Sequence, residues 1–344
     1  MVFTGAYTYI QWALENTFGT DAITGAACAD KSVFGFEQRI GSLSFTNNKI
    51  PISQLGDVRL KTFAYGQTQG SFSVDFVLSN PWFFSLIGFK DVVTTGASAP
   101  YSHSYSIDTT TDTTVPQSFT TSLGLENGSA DIKRNLVGGL VRSATINTSV
   151  GEVARVSLDV AYRNEALSEG SCVLDGCNAS QSICQHIPFT FAHGTLELPN
   201  CTTIAEVQDV SITFNQNAEH LFGIGNSVAT GQYRKLFEVT GSFRASWTCT
   251  TQLVNVFEQQ KDTLSNTSPA SSLAVVQPTL KLTFDNGLCG SSERTIVIAL
   301  TDIAIDSHSI NIEPNEVIFE DIPFQAVGAT VTATNAVATA PAKT

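Results

Sequence analysis

Two stretches of this chain, half its length apart, set out their apolar and polar residues in the same way. "GDVRLKTFAYGQTQGSFSVDF" (56–76) and "GQYRKLFEVTGSFRASW" (231–247) each read Gly-x-x-Arg, a spacer, then Gly-Ser-Phe and an alternation of apolar and polar residues. Phe72, Val74, Phe76 and Leu78 share one face of the first stretch, and Phe243, Ala245, Trp247 and Cys249 the corresponding face of the second. A period of two predicts half-buried strands. The spacer from Arg to the Gly of Gly-Ser-Phe is ten residues in the first copy and six in the second. The difference is even, so a hairpin can lengthen by two residues per strand without turning its apolar face outward.

The echo extends in both directions. Upstream, "IGSLSF" (40–45) resembles "VQDVSITF" (207–214), with Leu43 and Phe45 alternating as Val210, Ile212 and Phe214 do. Downstream, "NPWFFSLIGF" (80–89) and "TTQLVNVFEQQKDTLS" (250–265) are expected to be helices, the second with Leu253, Val256, Phe257 and Leu264 within one stripe. A Pro-led strand running into a Gly/Asn turn follows from Pro116 and again from Pro278, and each half closes with two more strands. The offsets are 175 residues from Gly56 to Gly231, 171 from Gly70 to Gly241 and 162 from Pro116 to Pro278. A nearly constant offset over the chain is the mark of a duplication. The expected fold is mainly β: two tandem antiparallel β-sandwiches, each with a flanking helix. The boundaries are 1–170 with an N-terminal arm, a Cys-containing linker at 171–187, and 188–344 with a C-terminal tail.

Charge narrows the function. With 18 Lys and Arg against 31 Asp and Glu, the net charge of −13 opposes binding to phosphate backbones. No run approaches the roughly 18 apolar residues of a membrane span, so a soluble chain is expected. The first twenty residues carry no Lys or Arg and no long apolar core, which argues against a secretory signal. Seven cysteines leave one thiol free even if the rest pair, and the redox compartment stays open.

The search for chemistry returns little. There is no H-E-x-x-H, G-x-S-x-G or G-x-x-x-x-G-K-[ST], and the five histidines are scattered without a nucleophile and an orienting acid. No catalytic residue, cofactor site or metal site is therefore assigned. The junction offers Cys172, Cys177 and Cys184, with Cys201 and His186 nearby. Its C-x4-C-x6-C spacing lacks the C-x2-C knuckles of a zinc site, and local disulfides or packed thiols account for it better than a metal. "GIGNSVATG" (223–231) reads as a long hairpin loop between strands, and "DTTTDTTVP" (108–116) as a polar loop.

In its order of segments the chain resembles the tail tube proteins of head-tailed viruses of bacteria and archaea. The resemblance runs through "YIQWALENTFGT", where a Glu precedes an aromatic-Gly-Thr, through "LGDVRLKTFAYGQTQGSFSVDFVLSNPWFFSLIGF", and through "HSYSI", "PQSFTTSLGLEN" and "GLVRSATINTSVGE". It continues over "IPFTFAHGTLELPNCTTIAEVQDVSITFNQNAEHLFGIGNSVATGQYRKLFEVTGSF". The resemblance implies a structural virion protein whose sandwich sheets join as one continuous β-barrel around a lumen, in rings that stack into a hollow tube for genome delivery. Because six tube domains make a ring in that family, a duplicated chain implies trimeric rings with pseudo-sixfold symmetry. Hexameric rings carrying a second, decorating domain are the alternative. The implied partners are further copies of the chain, a tape measure protein, a tail terminator and baseplate or tip proteins. Viral DNA passes without specific binding, no membrane is involved, and assembly takes place in the host cytoplasm.

Ring-to-ring contact is expected at the long loops 46–69 and 215–240, through Asn48, Gln54, Asp57 and Arg59 on one and Asn217, Asn226, Gln232 and Arg234 on the other. A second reading is a secreted or surface-displayed β-sandwich that binds glycans or cells, supported by sequons at Asn127, Asn147, Asn178, Asn200 and Asn266. A third, an enzyme built on the Cys/His junction, predicts a bound metal. Neither explains the duplication as simply.

Overall fold

The computed structural model describes residues 8–24, 31–107, 116–125, 131–170, 187–198, 202–203, 207–246, 279–305, 307, 309–312 and 317–337. Strands make up most of them. The first half contributes β1 (Thr8–Leu14), β2 (Lys31–Ser32), β3 (Phe36–Thr46), β4 (Ile50–Ser53), β5 (Leu60–Ala64) and β6 (Gln69–Val77). It continues with β7 (Phe89–Thr95), β8 (Tyr101–Ile107), β9 (Phe119–Leu125), β10 (Asp131–Ser149), β11 (Arg155–Tyr162) and β12 (Asn164–Gly170). The second half contributes β13 (Gly194–Leu198), β14 (Thr202–Thr203), β15 (Val207–Asn215), β16 (Ala218–Leu221) and β17 (Gly231–Arg234). It ends with β18 (Glu238–Ser246), β19 (Leu280–Asp285), β20 (Thr295–Ala304), β21 (Ser309–Asn311) and β22 (Phe319–Asn335).

The strand order is written twice. In the first half the neighbours across the sheet run β3, β6, β11, β10, β9, β1, β2, all antiparallel. In the second half they run β15, β18, β22, β20, β19, β13, β14, again antiparallel. The partition of long strands differs: β11 and β12 of the first half correspond to the single β22, and β10 corresponds to β20 and β21 together. Two pairings fasten the halves into one curled, half-barrel sheet, β10 against β15 and β8 against β22.

The sheet divides water from core in the way the alternation predicts. One row across seven strands reads Ile40, Val74, Leu158, Ala144, Phe214, Val239 and Ala326, every neighbour in register with the next. Phe72, Val74, Phe76 and Leu78 are buried as expected, and so are Phe243 and Ala245. A fully buried Phe or Leu contributes about 1.5–3 kcal/mol each. One cluster of buried residues runs through both halves, so the two repeats share a continuous core.

The expected helix at 80–89 is a different object. Residues Trp82–Ile87 form a single short 3-10 helix that ends where Gly88 turns left-handed at φ +92°. Trp82, Phe83, Phe84, Leu86 and Ile87 are all buried, so the segment plugs the core where a flanking helix with a wet face was expected. The second expected helix, 250–265, lies outside the described residues.

β10 is the pivot. Its first part, Asp131–Val137, pairs with β12, and its last part, Ser143–Ser149, pairs with β15. The change of partners falls at Gly138, held at φ +66°, and Gly139, where a Cβ would meet the Phe119 carbonyl oxygen at 2.8 Å. The buried carboxylate of Glu15 holds this turn, accepting the Gly138 N–H at 2.7 Å, the Gly19 N–H at 2.7 Å and the Thr120 hydroxyl at 2.8 Å. Burial raises the pKa of Glu15, while these donors favour its ionised form.

Candidate assembly surfaces

The loops singled out by spacing are two β-hairpins, and the structure treats them differently. β4 and β5 form a two-stranded ribbon that leaves β3 at Asn48, itself at φ +37°. Asp57 organises its tip, accepting the Arg59 backbone N–H at 3.0 Å and the Arg59 Nε at 3.5 Å. Gln54 begins that tip, closing a turn through its carbonyl to the Asp57 N–H at 3.2 Å. Leu55 and Val58 beside them are fully exposed, and Ile50, Leu60, Phe63 and Tyr65 are more than half exposed.

β16 and β17 form the second ribbon, which is strapped down on the first half of the chain. Gln232 Nε2 donates to the Pro116 carbonyl at 2.5 Å, and His220 Nε2 lies 3.0 Å from the Gly138 carbonyl. Arg163 donates from Nε to the Ala229 carbonyl at 2.6 Å and from its terminal nitrogen to the Gly19 carbonyl at 3.2 Å. Asn217, at φ +49°, donates to the Leu236 carbonyl at 2.8 Å, and the Asn226 N–H donates to the Gly223 carbonyl at 3.2 Å within the loop. The Arg234 guanidinium lies against Gly88, 2.5 Å from where a Cβ would stand. The Glu219 carboxylate accepts Tyr233 Oη at 2.5 Å and Lys235 Nζ at 2.6 Å, which holds its pKa below the usual range. The two hairpins meet where the Thr68 N–H donates to the Ser227 carbonyl at 2.7 Å.

The eight polar residues therefore fall into two groups. Asn48, Gln54, Asp57 and Arg59 stand on the free ribbon and Asn226 is exposed in the second loop, whereas Asn217, Gln232 and Arg234 are used inside the chain. The surface that reasoning from polarity missed is apolar: Leu55, Val58, Phe63 and Tyr65 on one hairpin, Leu221, Ile224 and Leu236 on the other. Exposed apolar clusters of this kind mark contact surfaces. Their signal in the sequence is the apolar spacing of Ile50, Ile52, Leu60 and Phe63 within a stretch otherwise read as a polar loop.

The face of the sheet opposite the core is polar. One row reads Arg39, Asp75, Ser157, Thr145, Thr213, Thr240 and Gln325, and the Thr145 and Thr213 hydroxyls bond each other at 3.0 Å. Three arginines near this row each have a carboxylate beside them: Arg155 with Glu37 at 2.6 Å, Arg142 with Asp159 at 3.9 Å and Arg244 with Asp321 at 3.8 Å. Exposed pairs like these add little stability, but each sets a carboxylate beside a cation that could otherwise meet a phosphate. Asp209, in the row of Arg244 and Asp321, has its pKa raised by burial despite the nearby Arg244.

Cys172, Cys177, Cys184 and Cys201 lie outside the described residues. Among the described residues no group of three His, Cys, Asp or Glu gathers to hold a metal, and no helix is long and apolar enough to cross a membrane.

A curled antiparallel sheet with a polar face and projecting apolar hairpins defines a structural β protein. The sequence profile of the phage tail tube protein family matches residues 5–326, and the chain belongs to that family. It is thus a structural component of a virion tail, of a family whose members stack as homo-oligomers into a tube. No curated protein sequence matches it. Among solved structures it was compared with a crystal structure of a Pseudomonas aeruginosa FadL homologue, at 10% identity over 78% of this chain and 62% of that one. The TM-score of 0.11 gives that likeness no weight.

Proposed function

We propose that three chains close into a ring of six repeat units, and that rings stack into the hollow tube through which viral DNA reaches the host. The repeat units are residues 1–170 and 188–344, joined by 171–187. The observation that carries the reading is the doubled strand order, with β15 of the second unit continuing the sheet directly beside β10 of the first. Two units lying side by side in one sheet favour three chains per ring over six chains with an outer decorating unit. The polar face, with its hydroxyls and matched arginines, is the lumen wall, past which DNA slides because few phosphates find a cation. The hairpin tips, Leu55 and Val58 on one and Ile224 on the other, reach the next ring. Assembly in the host cytoplasm involves a tape measure protein, a terminator and baseplate or tip proteins, as the family resemblance implies.

Negative-stain electron microscopy of the concentrated protein tests this. Stacked hollow rings with threefold end-on averages are expected. Rings with strict sixfold symmetry and twice the mass shift the reading to six chains, and particles that stay monomeric at every concentration overturn it.

A further inference from the structure

The internal β10–β15 junction has a counterpart with one side missing at each end of the chain. We propose that the contact between neighbouring chains repeats this junction, with β21 of one chain pairing along the outer edge of β3 of the next. The inference rests on the ring reading above and names the surfaces that close it.

The equivalence follows from register. Asp159 on β11 pairs with Ser73 on one side and Ser143 of β10 on the other; Asp321 on β22 pairs with Arg244 on one side and Ser309 of β21 on the other. β21 therefore stands where the end of β10 stands. The far edge of β10 carries β15, the first strand of the following repeat. Among the described residues no strand pairs with the far edge of β21 or of β3, the first strand of the first repeat. A donor edge at one end and an acceptor edge at the other make a heterologous contact, and such contacts close into rings.

Three asymmetries between the repeats have the same explanation. First, a cavity lies between equivalent strands in each half. In the second it is lined by β13, β15 and β19, and Thr148, Ser149 and Val150 at the end of β10 narrow it to about 60 Å³. In the first it is lined by Thr8–Ile10, Gln38–Ile40, Leu43 and Leu123, and its volume is about 480 Å³. Second, Val210 and Ile212 of β15 are buried, while their counterparts Leu43 and Phe45 of β3 are only partly so. Third, the second hairpin is docked on the first repeat, with Ala218 and Ala229 buried, while the first hairpin exposes Ile50, Leu60 and Phe63. A preceding repeat supplied by another chain fills the cavity, covers Leu43 and Phe45 and receives the hairpin. The donor end is apolar as this requires: Ile312 and Val317 are each 65% exposed.

Transferring the pairing of Ser143 with Asn215 gives the register between chains: Ser309 opposite Asn48, and Asn311 opposite Thr46. Two measurements test it. Ile312→Asp places a charge on an exposed residue, so the thermal midpoint should hold while the concentration needed for half-assembly rises at least tenfold. The double variant Thr46→Cys with Asn311→Cys should, on oxidation, give covalent dimers and trimers that neither single variant gives, because directly opposed strand residues are within disulfide reach. Rings of wild-type chain together with unimpaired assembly of Ile312→Asp, or with no cross-link beyond the single variants, overturn this inference and leave the ring reading standing. A wild-type chain that never forms rings overturns both.

Discussion

The ring of Tyr162 lies across Gly70, its cross-strand partner, so closely that a Cβ on Gly70 would stand 2.0 Å from the nearest ring carbon. Phe324 lies across Gly241 in the second repeat, where a Cβ would stand 2.3 Å from the ring. This is why Gly-Ser-Phe is written twice. The glycine makes room for an aromatic ring from the neighbouring strand, and the ring restores the packing that a glycine in a strand forfeits. The Tyr162 hydroxyl then donates to the Ser44 carbonyl at 2.9 Å, fastening β11 to β3 across β6.

Alanine at either position should therefore overpack the sheet. Gly70→Ala and Gly241→Ala are each expected to cost about 1–3 kcal/mol, against the fraction of a kcal/mol that Gly→Ala gains by restricting the unfolded chain. Gly231→Ala is the control, since its Cβ would find nothing nearer than Leu221 at 3.9 Å. Urea unfolding of the three variants checks this: equal midpoints for Gly70→Ala and Gly231→Ala would show that the ring over Gly70 yields freely.

How much of this was legible in the sequence depends on what each residue faces. The alternation of Phe72, Val74 and Phe76 was readable because one face of the strand is wet and the other dry. The segment Trp82–Ile87 was not, because almost every side chain is buried and no polar face remains to fix a period. The doubled strand order was visible as a constant offset. The pairing of β10 with β15 was not, because nothing local in either strand specifies a partner more than sixty residues away. The hairpins are legible by length, whereas their apolar residues alternate too briefly to stand out from the polar stretch around them.

His220 makes hairpin docking sensitive to pH. Burial lowers its pKa from the usual 6.5, and Arg142 and Arg163 nearby oppose a further positive charge, against the favourable hydrogen bond to the Gly138 carbonyl. The unfolded chain takes up its proton at about 6.5 while the folded chain resists, so the unfolded state binds more protons below that value. The stabilisation is fully present above pH 6.5 and is lost as pH falls through the folded value. The difference in unfolding free energy between the parent chain and His220→Gln, measured from pH 7.5 to 5.5, should shrink steadily. A constant difference would mean that His220 titrates as it does in the unfolded chain.

The exposed tips separate stacking from ring closure. Leu55→Asp with Val58→Asp puts two charges on side chains that touch nothing in the chain, so folding should be unaffected and rings should still close. Tubes should not grow, because a charge buried between rings without a partner costs several kcal/mol. Sedimentation velocity distinguishes the outcomes: a sharp boundary at the mass of one ring is expected, and a tube distribution like that of the parent chain would move the ring-to-ring contact elsewhere.

The polar face makes the most direct claim about function, because its chemistry can be reversed without touching the core. Asp75, Asp159 and Asp321 lie on the face that points away from the buried row, and the latter two each sit beside an arginine. Replacing all three with lysine leaves Arg142 and Arg244 unmatched and adds three cations, which together present five charges to a DNA backbone. Assembled tubes of this variant should bind DNA, with a logarithmic salt slope of about −0.9 for each phosphate neutralised on a duplex. Parent tubes should show no salt-dependent binding over the same range. Fluorescence anisotropy with a short labelled duplex small enough to enter the tube measures both. No binding by the triple variant would place the polar face outside the path of DNA.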